Sequence, residues 1–212
     1  MTRPNVPTTV TAPADVRERL YPVVFRLLEK KHWEDINIRL IASQSGVSSA
    51  TIYKYYGSKE KLVITVVQEQ IAVLIDELKA AIAQETGYRE KWHRLFHTLM
   101  AFNDRNPQFA IVTTIAIPQP TWFSGDNMLM QIVREVYKPL MREGRRLGEI
   151  DPRVSNTMIL RLIYTLSWHE ITLWYTRGRQ WKMSEQVDSF FFVFWKAIAK
   201  NSVTKAANAE RD

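Results

Sequence analysis

Residues 37–62, NIRLIASQSGVSSATIYKYYGSKEKL, decide the reading of this chain. Asn37 is a residue type that caps helices, and Ile38, Ile41 and Ala42 follow it at helical spacing. Gly46 supplies the left-handed residue that ends a helix, with Val47 as an apolar plug behind it. Ser48 can cap a second short helix, in which Ile52 turns inward and Ser49, Thr51, Tyr53 and Lys54 are left outside. Two short helices, a tight Gly-containing turn and a small Ala42 at their closest approach make a helix-turn-helix. From Ile36 to Lys59 the stretch carries Arg39, Lys54 and Lys59 and no acid. Hydroxyls, phenols and cations without a carboxylate suit a phosphate backbone and the edges of bases.

Upstream, residues 14–31 predict a helix whose stripe (Val16, Leu20, Val23, Val24, Leu27, Leu28) packs under the motif. Pro22 lies inside it, which predicts a kink there or a helix that begins near Leu20. Downstream, Ser58 can cap a long fourth helix with the stripe Leu62, Val66, Val67, Ile71, Leu74, Ile75, Leu78 and Ile82. That stripe is too long to be spent on the small head, so the helix joins the head to whatever follows, breaking at Gly87. Five more helices are expected, at about 88–103, 108–117, 126–144 (bent at Pro139), 152–177 and 184–200, with a Pro/Gly loop at 118–125. No Val/Ile/Thr alternation argues for strands, and the fold class is all-α. The domain boundaries read as a disordered tail at 1–13, the reading head at 14–57, a helical domain at 58–201 and a frayed end at 202–212.

The motif resembles the DNA-binding signature of the TetR family of bacterial regulators. The residues that carry the likeness are Ile41-Ala42, Gly46-Val47-Ser48, Thr51-Ile52-Tyr53, the aromatic pair Tyr55-Tyr56, and Ser58 to Leu62. A weaker echo, Leu147-Gly148-Glu149-Ile150-Asp151, stands where that family often starts its long penultimate helix. His32, Leu40 and Gly57 depart from the pattern, standing where Gly, an acid and Pro are common. The resemblance implies a homodimeric regulator, most often a repressor, that reads a palindromic operator in double-stranded DNA. A small-molecule effector bound among helices five to eight would shift helix four and move the paired recognition helices out of register. An all-α carrier or enzyme with an incidental basic head is the alternative from another class.

The whole chain is consistent with an anionic partner. It has 212 residues, a net charge of +7, and ten Lys/Arg against six Asp/Glu within residues 1–62. It contains no Cys, which excludes disulfides and thiolate metal sites. Phe190–Trp195 is the densest apolar run and is far too short for a membrane span, and no apolar signal core opens the chain. A soluble, cytoplasmic protein without a membrane partner is expected. No nucleophile elbow, phosphate loop or catalytic carboxylate pair is present; His169-Glu170 begins a zinc-protease motif that Leu173 ends. His93 and His97 share a helical face without an acid or third His nearby, so no metal and no cofactor is expected.

Three groups of candidate residues follow. For DNA they are Arg39, Ser48, Ser49, Thr51, Tyr53, Lys54, Tyr55 and Lys59, with Tyr53 and Lys59 on phosphates and the hydroxyls nearest the bases. For an apolar or aromatic effector they are Trp92, Phe96, Tyr164, Thr165, Trp168 and His169, with Thr165, His169 and Thr172 as a polar strip on a greasy helix. For the dimer they are Phe190, Phe191, Phe194 and Trp195, because consecutive aromatics on a helix cannot all face one core. The Arg142, Arg145 and Arg146 cluster reads as a solvated helix end.

Overall fold

A computed structural model describes residues 11–116 and 128–200; the tail to residue 10, the Pro/Gly loop and the frayed end therefore lie outside the described residues. Within them the chain is helical, with no strand beyond one isolated bridge, Ile150 to Ala199.

Three helices build the head. The first, α1 (Ala14–Lys30), buries Val16, Leu20, Val23, Val24, Leu27 and Leu28, the stripe read from the sequence. It begins at Ala14 and runs through Pro22, so of the two expectations for that proline the start near Leu20 is the one that does not hold. Pro22 and Glu18 are both exposed, so the carbonyl left without an N–H partner faces water. Ala12, counted with the tail, is buried in the core. After an unforeseen 3₁₀ turn (Trp33–Asp35) come α2 (Ile38–Ser45) and α3 (Ser49–Tyr56). The side chain of Asn37 accepts from the Leu40 N–H at 2.9 Å, and that of Ser48 from the Thr51 N–H at 3.0 Å. Gly46 sits at φ 66°, and Ile41 and Ile52 are fully buried between the helices. Gly57, at φ 75°, could not be the Pro common at this place, because proline is locked near −65°.

The long helix α4 (Lys59–Ala83) starts at Ser58, whose hydroxyl accepts from the Lys61 N–H. Its buried residues run unbroken from Leu62, Val63, Val66 and Val67 to Ile71, Leu74, Ile75 and Leu78. After the turn at Gly87, α5 (Tyr88–Arg105) packs back against it. Next comes α6 (Pro107–Ile111), which continues as a π-helical turn (Val112–Ala116). The Thr113 hydroxyl bonds the Phe109 carbonyl there at 2.9 Å, competing with the helical ladder. α7 is a helix in three pieces: Met128–Ile132, a π turn Val133–Tyr137, and Lys138–Leu147. The π turn falls just ahead of Pro139, where the missing N–H and the ring both disturb the ordinary ladder.

The last two helices are α8 (Asn156–Thr176) and α9 (Val187–Ile198). Arg145 is not a solvated helix end. It donates to the carbonyls of Asp151 (2.9 Å) and Val154 and to Asn156 Oδ1 (3.2 Å), so it staples the loop between α7 and α8. An Asp104 carboxylate at the end of α5 receives the N–H groups of Met183 and Ser184 and the Ser184 hydroxyl, fixing the 3₁₀ turn that leads into α9.

The aromatic run of α9 divides by face. Phe191 and Phe194 fill the chain's own core, with Phe194 5.2 Å from Trp92 and 4.8 Å from Phe96, centroid to centroid. Phe190 leans on Phe96 at 5.4 Å and Trp195 on Tyr88 at 6.1 Å, both half-buried. Phe191 and Phe194 are thereby removed from the expected dimer surface, because the helix-five aromatics already cover them. The outward side chains are Phe192 and Val193, at 60% and 57% exposure. Among the described residues no helix is long and apolar enough to cross a membrane.

Candidate nucleic-acid interface and ligand cavity

The outer surface of the helix-turn-helix is set by its caps. Capping engages Ser48 Oγ, which also lies 2.8 Å from Thr51 Oγ1, so these two hydroxyls form one polar edge at the start of α3. Arg39, Tyr53 and Lys54 are exposed, while Ser49, Thr51 and Tyr55 are half-buried beside them. The Lys54 amine lies 5.1 Å from the Tyr55 ring centroid. Together with the free N–H groups of a helix N-terminus, this edge offers donors and one sign of charge to a phosphate. Lys59 is half-buried at the start of α4. Its amine donates to the Trp33 carbonyl at 2.8 Å and sits 4.3 Å over the Trp33 ring, so it first fastens α4 to the 3₁₀ turn.

Two further groups position the head. Arg19 of α1 reaches the carbonyls of Ser45 and Gly46 and holds the turn between α2 and α3. Glu69 of α4 receives the Tyr21 hydroxyl at 2.7 Å and Arg17 at 3.1 Å, tying α1 to the long helix. Burial, then the neighbouring Tyr56 and Glu69, push the Tyr21 phenol above its ordinary pKa and keep it a donor. Neither Arg19 nor Glu69 follows from the motif, because both partners are distant in sequence.

A cavity of about 390 Å³ opens between α4, α5, α6, α7 and α8, within the range of small-molecule sites. Its wall is mainly hydrocarbon and aromatic: Ile71 and Leu74 of α4, Leu99, Phe109, Ile132, Val133, Leu160, Ile163 and Ile171. Of the expected effector residues, Tyr164 and Trp168 line it, and the Trp168 indole N–H donates to the Thr114 carbonyl at 3.3 Å. Trp92 and Phe96 do not: they lie nearer the start of α5, packed against α9. Thr165 and His169 are exposed and also lie outside the wall. The polar strip was displaced by about a third of a helical turn, since the wall follows Leu160, Tyr164, Ser167 and Ile171 instead. The polar groups actually facing the space include Asn103, Thr113, Tyr137, Thr157, Arg161 and Ser167. Tyr137 is held protonated by burial. Among the described residues no carboxylate lines the cavity.

The two histidines of α5 have different surroundings. His93 Nε2 lies 2.6 Å from Asp188 Oδ1 on α9, His97 is exposed, and no cluster of three metal-ligating side chains occurs among the described residues.

Comparison with known proteins follows the same division of the chain. Residues 25–66 match the family model described as bacterial regulatory proteins, tetR family, and residues 67–197 match the C-terminal region of YsiA-like proteins. The nucleoid occlusion factor SlmA of Haemophilus influenzae is 24% identical over 173 residues, covering 75% of this chain and 78% of that protein. The structure of the fatty acid degradation regulator FadR from Bacillus halodurans superposes with a TM-score of 0.71 at 18% identity, covering 88% of this chain and 97% of that one. FadR from Bacillus subtilis, solved in complex with stearoyl-CoA, gives 0.69 at 18% identity over 84% and 96% of the two chains. With both halves matched and the helix-turn-helix in place, the chain belongs to the TetR family of bacterial DNA-binding regulators.

Proposed function

We propose that the protein is a homodimeric repressor whose two α3 helices enter successive major grooves of a palindromic operator, and that an apolar effector in the cavity releases it. The observation that carries this reading is the continuity of α4. One helix packs Leu62, Val63, Val66 and Val67 near the head and presents Ile71 and Leu74 to the cavity, so a ligand that displaces its middle displaces its start. The network of Arg17, Tyr21 and Glu69 makes α1 follow α4. On α8 and α9, the half-buried Leu162 and Leu166 and the exposed Phe192 and Val193 offer apolar surface that a second copy would cover in a four-helix seam. The similarity to a FadR solved with stearoyl-CoA supports a long-chain acyl group as effector, with the exposed Arg161 guanidinium at the rim for an anionic end.

Fluorescence anisotropy on DNA from upstream of the protein's own gene tests the reading. A specific site that takes up two chains is expected, and stearoyl-CoA should weaken binding roughly five- to 150-fold, the usual coupling range. Salt-dependent binding of equal strength to unrelated DNA, with no response to the acyl thioester, would refute it.

A further inference from the structure

Glu29, next to the last residue of α1, is held by the body of the protein from two sides. Its Oε1 accepts from the Arg179 guanidinium at 2.8 Å and its Oε2 from the Gln108 side chain at 3.1 Å. Arg179 lies in the turn between α8 and α9 and Gln108 on α6, 150 and 79 residues away in sequence. Only 15% of the Glu29 side chain is exposed, against 37% of Arg179, so solvent screens the pair less than one on open surface. On the same stretch of α1, Arg26 donates to Gln44 of α2 at 3.2 Å. The end of α1 therefore grips the reading head with one side chain and the body with another.

The turn that carries Arg179 is closed by its own hydrogen bonds. The Arg179 N–H donates to the Trp174 carbonyl at 2.8 Å, the Trp174 indole to the Trp181 carbonyl at 3.0 Å, and the Trp181 indole to Glu170 at 2.8 Å. The guanidinium lies 5.7 and 5.6 Å from the ring centroids of Trp174 and Tyr175. Arg179 has φ 60°, and among the described residues no other non-glycine has a positive φ. Glycine would adopt this conformation without strain, so what the position gains from arginine is its side chain.

We infer that Glu29 and Arg179 are positioning residues for DNA reading: their ion pair sets the separation of the two α3 helices, and hence the half-site spacing that the protein accepts. This rests on the reading of the protein as a dimer on a palindrome, with α8 and α9 in the seam. The turn leads directly from one seam helix into the other, so Arg179 places Glu29, and with it the head, relative to the twofold axis. α4 alone fixes a line about which the head can turn, and a second hold away from that line stops the turning. Apolar packing of α1 on α6 can slide, whereas a charge-assisted hydrogen bond fixes a distance and a direction.

Fluorescence anisotropy of the full chain tests this on palindromic DNA from upstream of its own gene, with the centre shortened or lengthened in single base-pair steps. Each step moves a half-site by about 3.4 Å along the axis and turns it about the duplex. The wild type should prefer one spacing sharply. Glu29→Gln and Arg179→Gly should each lower affinity at that spacing by about three- to thirtyfold, since the dimer carries the pair twice and each pair is partly exposed. At the other spacings the loss should be smaller, so the profile flattens. Arg179→Gly should leave Tm nearly unchanged, because glycine takes the left-handed turn freely. The exchanged pair, Glu29→Arg with Arg179→Glu, should restore the preference. If the single variants keep the wild-type profile, sharp or flat, the inference is overturned. An equal loss at every spacing also overturns it, because the residues then support the head without placing it. If the wild type binds one half-site as tightly as the palindrome, the dimeric reading itself has failed and the inference fails with it.

Discussion

Replacing Asp104 by Ala should detach α9 from the body of the protein. The carboxylate accepts from the Met183 N–H at 2.8 Å, the Ser184 N–H at 3.0 Å and the Ser184 hydroxyl at 2.6 Å. These are charge-assisted bonds to the first N–H groups of the turn that opens into α9, where a negative charge also complements the helix end. Met183 is fully buried, so its N–H would be left without protein or water, at a cost of about 1–3 kcal/mol. Ser184 is half-buried, and water would recover part of its loss. The sum is about 2–4 kcal/mol. For a chain of this size that lowers Tm by roughly 4–16 °C, at about 2–4 °C per kcal/mol. Asp104→Asn should cost less, since its carbonyl oxygen keeps one of the acceptors. Thermal unfolding followed by circular dichroism measures the loss. Sedimentation at micromolar concentration asks whether a loosened α9 also weakens self-association. A change in Tm below about 2 °C for the Ala variant would refute the view that this carboxylate holds α9 in place.

Gly46→Ala should destabilise the head by about 2 kcal/mol and reduce affinity for all DNA. A side chain at φ 66° costs about 1–2 kcal/mol, and the new Cβ would lie 2.9 Å from Arg19 Nη2, displacing the group that holds the turn. Lys54→Ala should lower the slope of log affinity against log salt by about one unit with the fold intact, because this amine is exposed and lies over the Tyr55 ring. Phe192→Glu should give a folded monomer by light scattering, whereas Phe194→Glu should not fold; a Phe192→Glu dimer would place the seam elsewhere. Acid titration should reveal Asp151, whose carboxyl is held down to about 2 by the hydrogen-bonded Arg153. A depressed pKa adds stability that is complete above the ordinary value near 4 and fades as pH falls towards 2. Asp151→Asn should therefore lower stability at pH 6 and leave it nearly unchanged near pH 2.

The head was legible because its signals are local. A cap and the N–H it satisfies are three residues apart, as in Asn37 to Leu40 and Ser48 to Thr51. A left-handed glycine acts on its own turn, and the helical period of α1 and α4 is carried by their own stripes. The sequence therefore determined the helix-turn-helix, the all-α class and the continuity of α4 without help from distant residues. It could not determine which wall each aromatic belongs to. Trp92 and Phe96 read as well for a ligand site as for a core. They are core because α9, about a hundred residues later, lays Phe191 and Phe194 against them. The same packing turned those two phenylalanines inward and left Phe192 and Val193 outside, a rotation of about 100° that no periodicity in an all-apolar run can report. Asn103 and Ser167 were passed over for a related reason. A lone Asn near a helix end and a lone Ser on an apolar helix are unremarkable until the fold brings them to the wall of one cavity. Local hydrogen bonds and helical period are properties of a segment, whereas burial and pairing depend on which segments meet, and only the tertiary structure decides that.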